Sequence, residues 1–193
     1  VPVVGMDTSL PTRDAAIMNG LLIHGLDYDD THPNGIIHAT ASAVTAVTAL
    51  GYTQKKSGQD LLTAYVLGIE VATRLGVAAR GEFHQVGFHP TGLIGAFGCT
   101  AAAGWLLGLT EEQLTHAQGI TLSFAAGSME FLQDGAWTKR IHPGWAAQCA
   151  ITAATLAKNG FIGPRETYEG RFGLFASHLG QDFELNGLQE DIN

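Results

Sequence analysis

The run from Pro90 to Leu107 constrains the fold most: it carries no charged residue, is built of Gly, Ala, Cys, Thr and large apolar side chains, and stops at Gly108. Proline suits the first turn of a helix, where its missing N–H has no intrahelical role. A helix apolar on every side must be covered on every side. This segment therefore predicts a central helix with others around it. Small residues let such backbones approach closely, although each interior glycine costs about 0.5–1 kcal/mol relative to alanine.

The flanking sequence supplies the partners. Thr12 or Asp14 reads as the cap of a helix over about 13–30, and a second runs from about His38 to Leu50, stopping at Gly51. Its Thr and Val residues would suit a strand, but Ala39, Ala41, Ala43, Ala46 and Ala49 favour a helix. Ser57-Gly-Gln-Asp60 introduces a third helix, to about Arg80, with Leu61, Tyr65, Ile69 and Leu75 along one side. Thr110-Glu-Glu-Gln113 has the form of a capping box for a helix reaching about Ala126. The last long helix starts near Pro143 and ends at Asn159-Gly160; Gly163–Gly180 holds one or two short helices, and a strand or linker begins past Gln181. No alternating strand pattern or fixed repeat occurs. The expected fold is all-α, a multi-helix bundle-like domain with antiparallel neighbours joined by short loops.

Charge and cysteine content narrow the function. A net charge of −8 argues against nucleic acid and anionic membranes, because no basic patch exists to release counterions. Cys99 and Cys149 lie in small, apolar helical surroundings and read as free buried thiols of a reducing compartment, so a cytoplasmic location is expected. No signal peptide and no apolar run long enough to span a bilayer is recognised. The chain begins at Val1, which suggests an incomplete or trimmed polypeptide.

Chemistry concentrates in His24-Gly-Leu-Asp-Tyr-Asp-Asp-Thr-His32, followed by His38. Helical spacing puts Ile17, Leu21 and His24 on one face, and continuing that helix brings Asp27 and Thr31 near the same stripe. Three aspartates at a helix C-terminus oppose its partial negative charge, so they read as serving a site. Histidines recur at other helix junctions, His89 and His142 among them, with Lys139 and Arg140 beside the latter. The set offers acids or bases (His38, His89, Asp27), hydroxyls (Thr31, Thr91, Thr138) and cations (Lys139, Arg140). That suits proton removal beside a carboxylate, with cations holding the anion.

Plainer readings stand beside this one. His116 and His178 read as caps or solvated side chains, Asp29 and Asp30 equally well as loop-stabilising acids, and Lys139-Arg140 as a solvated basic pair. Asp27, Asp30, His24 and His32 could alternatively supply metal ligands, although no HExxH, cysteine-based or EF-hand spacing is present. A non-catalytic helical oligomerisation domain is a third possibility. No P-loop or dinucleotide fingerprint exists, because no strand precedes Gly92–Gly108.

Ala15-Ala-Ile-Met-Asn-Gly-Leu-Leu-Ile-His-Gly-Leu-Asp-Tyr-Asp-Asp-Thr-His32 resembles the signature of the MmgE/PrpD family. So, in order, do Gly68-Ile-Glu-Val-Ala-Thr-Arg-Leu75, Gly87-Phe-His-Pro-Thr-Gly92, Gly135-Ala-Trp-Thr-Lys-Arg-Ile-His-Pro-Gly144 and Tyr168-Glu-Gly-Arg-Phe-Gly-Leu-Phe175. The resemblance implies that residues 1–193 are part of one all-helical domain, without the family's smaller α/β lid domain, and that the protein is a homodimer. It implies a lyase acting on a small di- or tricarboxylate, with no metal or organic cofactor: a dehydratase of the 2-methylcitrate type, or alternatively a decarboxylase or an epimerase. By position it implies His38, His89, Asp27, Thr31 and Lys139 as catalytic residues. Lys139, Arg140, His142 and His32 are expected to bind substrate. Ala39 and Thr40 stand where members commonly have Pro and Ser, which bears on substrate subtype.

Overall fold

The computed structural model describes residues 1–180 and Leu188. Among these residues it has nine α-helices and no sheet: α1 (Thr12–Ile23), α2 (Ala39–Gln54), α3 (Gly58–Ala78), α4 (Glu82–Gln85), α5 (Pro90–Leu107), α6 (Glu111–Leu122), α7 (Phe131–Asp134), α8 (His142–Lys158) and α9 (Leu174–Leu179). A short 3-10 helix, Trp137–Ile141, leads into α8. The all-α expectation holds. The expected strand or linker past Gln181 lies outside the described residues, apart from Leu188.

Helix α5 is the axis. All its residues except Trp105 and Leu107 are buried, and α2, α3, α6 and α8 surround it. Pro90 opens it and Gly108, at φ 65°, closes it in the left-handed conformation that glycine adopts without steric cost. Two helices, α3 and α5, are by length and composition apolar enough to cross a membrane, which corrects the expectation that no run is. For α5, packing explains the composition, since 89% of its apolar window is buried inside the protein.

Two helix contacts depend on glycine pairs. A Cβ on Gly20 of α1 would fall on the backbone of Gly144 in α8, and one on Gly98 of α5 would fall on the Gly68 carbonyl of α3. The first contact sets the end of α1 beside the start of α8.

The expected capping box at Thr110 forms, and Ser57 makes a second one at the start of α3. Ser57 Oγ accepts from the Asp60 N–H at 3.1 Å, and Thr110 Oγ1 from the Gln113 N–H at 3.2 Å, each reciprocated by the partner side chain. Other boundaries move. Neither Thr12 nor Asp14 caps α1; Pro11 stands at that position, with no side-chain cap. Gly51 does not stop α2, which continues to Gln54 and ends where Lys55 turns left-handed at φ 51°. Gly51 is instead a seat for the Leu61 side chain. Helix α6 ends at Leu122, short of Ala126.

The largest shift is in α1, which ends at Ile23 rather than near residue 30. Asp27 has φ 59°, incompatible with a continuing right-handed helix but tolerated by aspartate. Asp27, Asp29 and Asp30 are therefore loop residues, and the supposed helix-end penalty on them does not arise.

Candidate active site

Four histidines stand where four helices end or begin. His24 closes α1, His38 and His89 immediately precede α2 and α5, and His142 is the first residue of α8. Their rings form a chain: His24–His38 centroids are 4.9 Å apart, His24–His89 5.7 Å, His38–His89 6.2 Å and His89–His142 5.1 Å. Phe131 covers His89 and His142 edge-on. The buried Thr91 hydroxyl accepts from the His38 N–H at 3.1 Å and so ties the start of α2 to the start of α5.

Hydrogen bonds engage all four rings. The His38 Nδ1–H donates to the Asp30 carbonyl at 3.0 Å, with Thr31 Oγ1 at 3.3 Å. A carbonyl only accepts, so the His38 lone pair lies on Nε2. His24 Nδ1 lies 2.9 and 3.0 Å from the two oxygens of Asp29, a side chain almost fully buried, so its Nδ1–H donates. His89 Nδ1 meets His142 Nδ1 at 2.9 Å; one nitrogen must donate and the other accept.

Burial keeps the inner rings neutral. It pushes His89 down to about 2, with the neighbouring His142 adding to the effect, and His142 down to about 4. His24 is also lowered by burial, opposed by the Asp29 carboxylate. Desolvation disfavours the imidazolium in each case.

The charged partners sit outside this chain of rings. Lys139 Nζ contacts both oxygens of Asp27, at 2.7 and 2.6 Å, across 112 residues of sequence. That ammonium holds the Asp27 carboxyl below the usual carboxylate range. The same carboxylate is 3.7 Å from His38 Nε2 and 3.8 Å from His24 Nδ1. Thr31, His38, His89 and Lys139 line one cavity of about 160 Å3, together with Ile36, His84, Met129, Phe131 and Leu132. Ile36 adopts φ 49°, a strained conformation for a β-branched residue, at the rim of that cavity.

Of the expected substrate-binding residues, Lys139 alone lines the cavity. Arg140 lies over the Trp137 ring, 5.0 Å from its centroid. His142 stands behind His89, and His32 Nδ1 accepts from the Gly35 N–H at 3.1 Å in its own loop. The metal quartet offered as an alternative does not assemble: among the described residues, Asp30 and His32 join neither group of side chains close enough to share an ion. Asp30 Oδ1 accepts from the Thr40 N–H at 3.1 Å in the first turn of α2, which settles its role as a loop-stabilising acid. His116 and His178 are not free in solvent. Their Nδ1 atoms lie 2.8 and 3.1 Å from the carbonyls of Gly163 and Leu174. Thr138 is exposed outside the cavity lining.

The family model for the MmgE/PrpD N-terminal domain matches residues 1–186. The chain belongs to the MmgE/PrpD family. Its similarity extends to cis-aconitate decarboxylase of Homo sapiens, 37% identical over 177 residues that cover 88% of this chain and 36% of that protein. The Mus musculus cis-aconitate decarboxylase is 34% identical, covering 96% of this chain and 39% of that protein. That of Aspergillus terreus is 30% identical, covering 90% and 36%. This MmgE/PrpD chain thus spans a little over a third of the length of the curated relatives it matches.

Sequence reasoning missed two features of this histidine cluster. The His24–Asp29 pair spans the end of α1, where helical spacing does not apply. Phe131 and Met129 carry no chemical signal in sequence and enter only through folding of the segment before α8.

Proposed function

We propose that the complete protein is a cofactor-independent lyase acting on a small di- or tricarboxylate, through proton transfer at a carbon next to a carboxylate. The observation that carries this is the convergence of two imidazoles, His38 and His89, on a small cavity whose cation, Lys139, is held by an exchangeable carboxylate, Asp27. A substrate carboxylate entering there replaces Asp27 on Lys139 Nζ. The N-termini of α2, α5 and α8 all open at this end and add partial positive charge for the same anion.

Proton transfer falls to the imidazoles. His38 presents its Nε2 lone pair because Nδ1 is committed to the Asp30 carbonyl. His89 presents Nε2 as a base in the tautomer that donates Nδ1–H to His142, and burial keeps that lone pair free across the neutral range. Docking an anion beside a desolvated imidazole favours the imidazolium it must become, which shifts its proton affinity toward the working range. Thr31 and the displaced Asp27 orient His38 or the departing group.

Loss of CO2, loss of water and inversion share the carbanion-like stage. The similarity to cis-aconitate decarboxylases favours testing decarboxylation first. In that exit the bond to one carboxylate breaks, its electron pair moves into the conjugated system, and an imidazolium delivers the proton to the carbon that receives the pair. Dehydration of a 2-methylcitrate-like substrate comes second.

The test follows cis-aconitate, 2-methylcitrate and iminodisuccinate with the complete protein by proton NMR in deuterated buffer containing chelator. Loss of CO2, loss of water or deuterium incorporation names the exit. No change in any of the three, or full turnover in both His89→Ala and Lys139→Ala, defeats the proposal.

A further inference from the structure

We infer that His24, His38 and His89 form a binding site for zinc or another borderline-soft divalent transition cation. One ring nitrogen from each lies within 4.8 Å of the others. Proximity alone would mean little; the outer hydrogen bonds give it a direction. His24 Nδ1 is taken by Asp29, His38 Nδ1 by the Asp30 carbonyl, and His89 Nδ1 by His142. In all three rings the nitrogen left over is Nε2.

Metal-binding histidines characteristically give their second nitrogen to a carboxylate, carbonyl or other fixed acceptor, which sets the tautomer and aims the ring. His24–Asp29 has that carboxylate–histidine form, with both side chains almost wholly buried. The His24 ring is 1% exposed, and its Nε2 has no hydrogen-bond partner. A buried ring nitrogen without a partner is costly, and coordination satisfies it.

Geometry and charge permit the ion. Nitrogens at 2.0–2.1 Å from a tetrahedral centre stand about 3.4 Å apart, so binding draws the three rings together. Lys139 and the nearby helix N-termini oppose a cation, while Asp27 and Asp29 offset them with two carboxylates. Asp27 Oδ1 is 3.7 Å from His38 Nε2, and it supplies the fourth ligand when it leaves Lys139. This site differs from the quartet expected from sequence, sharing with it only His24 and Asp27.

Under the lyase reading, a bound ion occupies the Nε2 lone pairs that proton transfer requires. Metal occupancy and turnover then exclude one another. The site itself does not rest on that reading, and its test is made without turnover.

The full chain, stripped with chelator, is titrated with cobalt(II) and followed by visible absorption, then with zinc by calorimetry. The expected result is one site per chain, the intense visible bands of a tetrahedral cobalt centre, and displacement of cobalt by zinc. His24→Phe abolishes these signals. Asp29→Asn, which keeps every ligand, weakens zinc binding by about 10- to 100-fold. Circular dichroism confirms the fold of each variant; if His24→Phe does not fold, Asp29→Asn decides alone. Absence of the cobalt bands, or zinc affinity unchanged in a folded variant, overturns the inference.

Discussion

The two ends of the α1, α2, α5 and α8 group are made by the same helices and differ in nearly everything else. At one end α1 finishes and the other three begin, and the junctions carry His24, His38, His89 and His142. At the other end lies a cavity of about 510 Å3, lined by residues that include Thr12, Arg13, Gln54, Leu107 and Lys158, with no histidine or acid. There Lys158 Nζ donates to the Leu107 carbonyl at 2.9 Å, an ordinary way to satisfy a helix C-terminus. The larger cavity carries cations without a histidine or acid in its lining, and the smaller one, of about 160 Å3, holds the histidines. Buried, mutually oriented ring nitrogens mark the site better than volume does.

The comparison breaks most visibly if chemistry does not follow the histidine end. His89→Ala and Lys139→Ala in the complete protein are each expected to lower turnover by about 100-fold or more, the usual weight of a positioned proton-transfer group or charge. Steady-state assays on the responsive substrate check this, and the same assays should show no change for Lys158→Met at the far end.

Packing should respond next. Gly144→Val forces α8 off the Ile17 backbone of α1, where no flexible side chain can yield. It should cost at least about 1–3 kcal/mol by denaturant unfolding, and should also disturb His24 and His142, which that contact sets together. A midpoint unchanged from the unsubstituted chain would show that the helices are not locked there.

The histidine end should also make stability depend on pH. His89 and His142 have folded values near 2 and 4 against 6.5 in the unfolded chain. The unfolded state therefore binds protons that the folded state refuses. Stability is greatest above about pH 6.5 and falls as pH drops, by up to about 1.4 kcal/mol per pH unit for each histidine. Both contribute down to about pH 4, and His89 alone below that. Thermal melts across this range should be shallower for His142→Gln. An equal slope in that variant would mean that His142 is not kept neutral by burial.

The smallest effect belongs to the far end. Lys158→Met removes the bond to the Leu107 carbonyl and should cost under about 1 kcal/mol, since the group is exposed and water replaces it. A larger loss would sharpen the comparison in an unexpected direction, by giving that end a structural weight its chemistry does not suggest.

Local signals were legible because their physics is local. Pro90 and Gly108 bound α5, and Ser57 and Thr110 begin α3 and α6, through contacts spanning a few residues. The ordered motifs also revealed the family, since several matches in sequence order need no knowledge of contacts. His38, His89, Thr31 and Lys139 were named from those motifs, and the structure gathers all four on one cavity.

The rest was decided by tertiary structure. Nothing within α1 marks its end at Ile23; Asp27, in the loop beyond it, adopts positive φ and meets Lys139, 112 residues away. Gly51 reads as a helix stop by propensity, yet it is where Leu61 packs. His89 and His142, 53 residues apart, are paired through folding, and their shared hydrogen bond exists only in the packed state. Sequence determines what each segment can form by itself. Which ring nitrogens are left free, and which acid meets which cation, depends on contacts between segments far apart in the chain, and these form only when the helices close on α5.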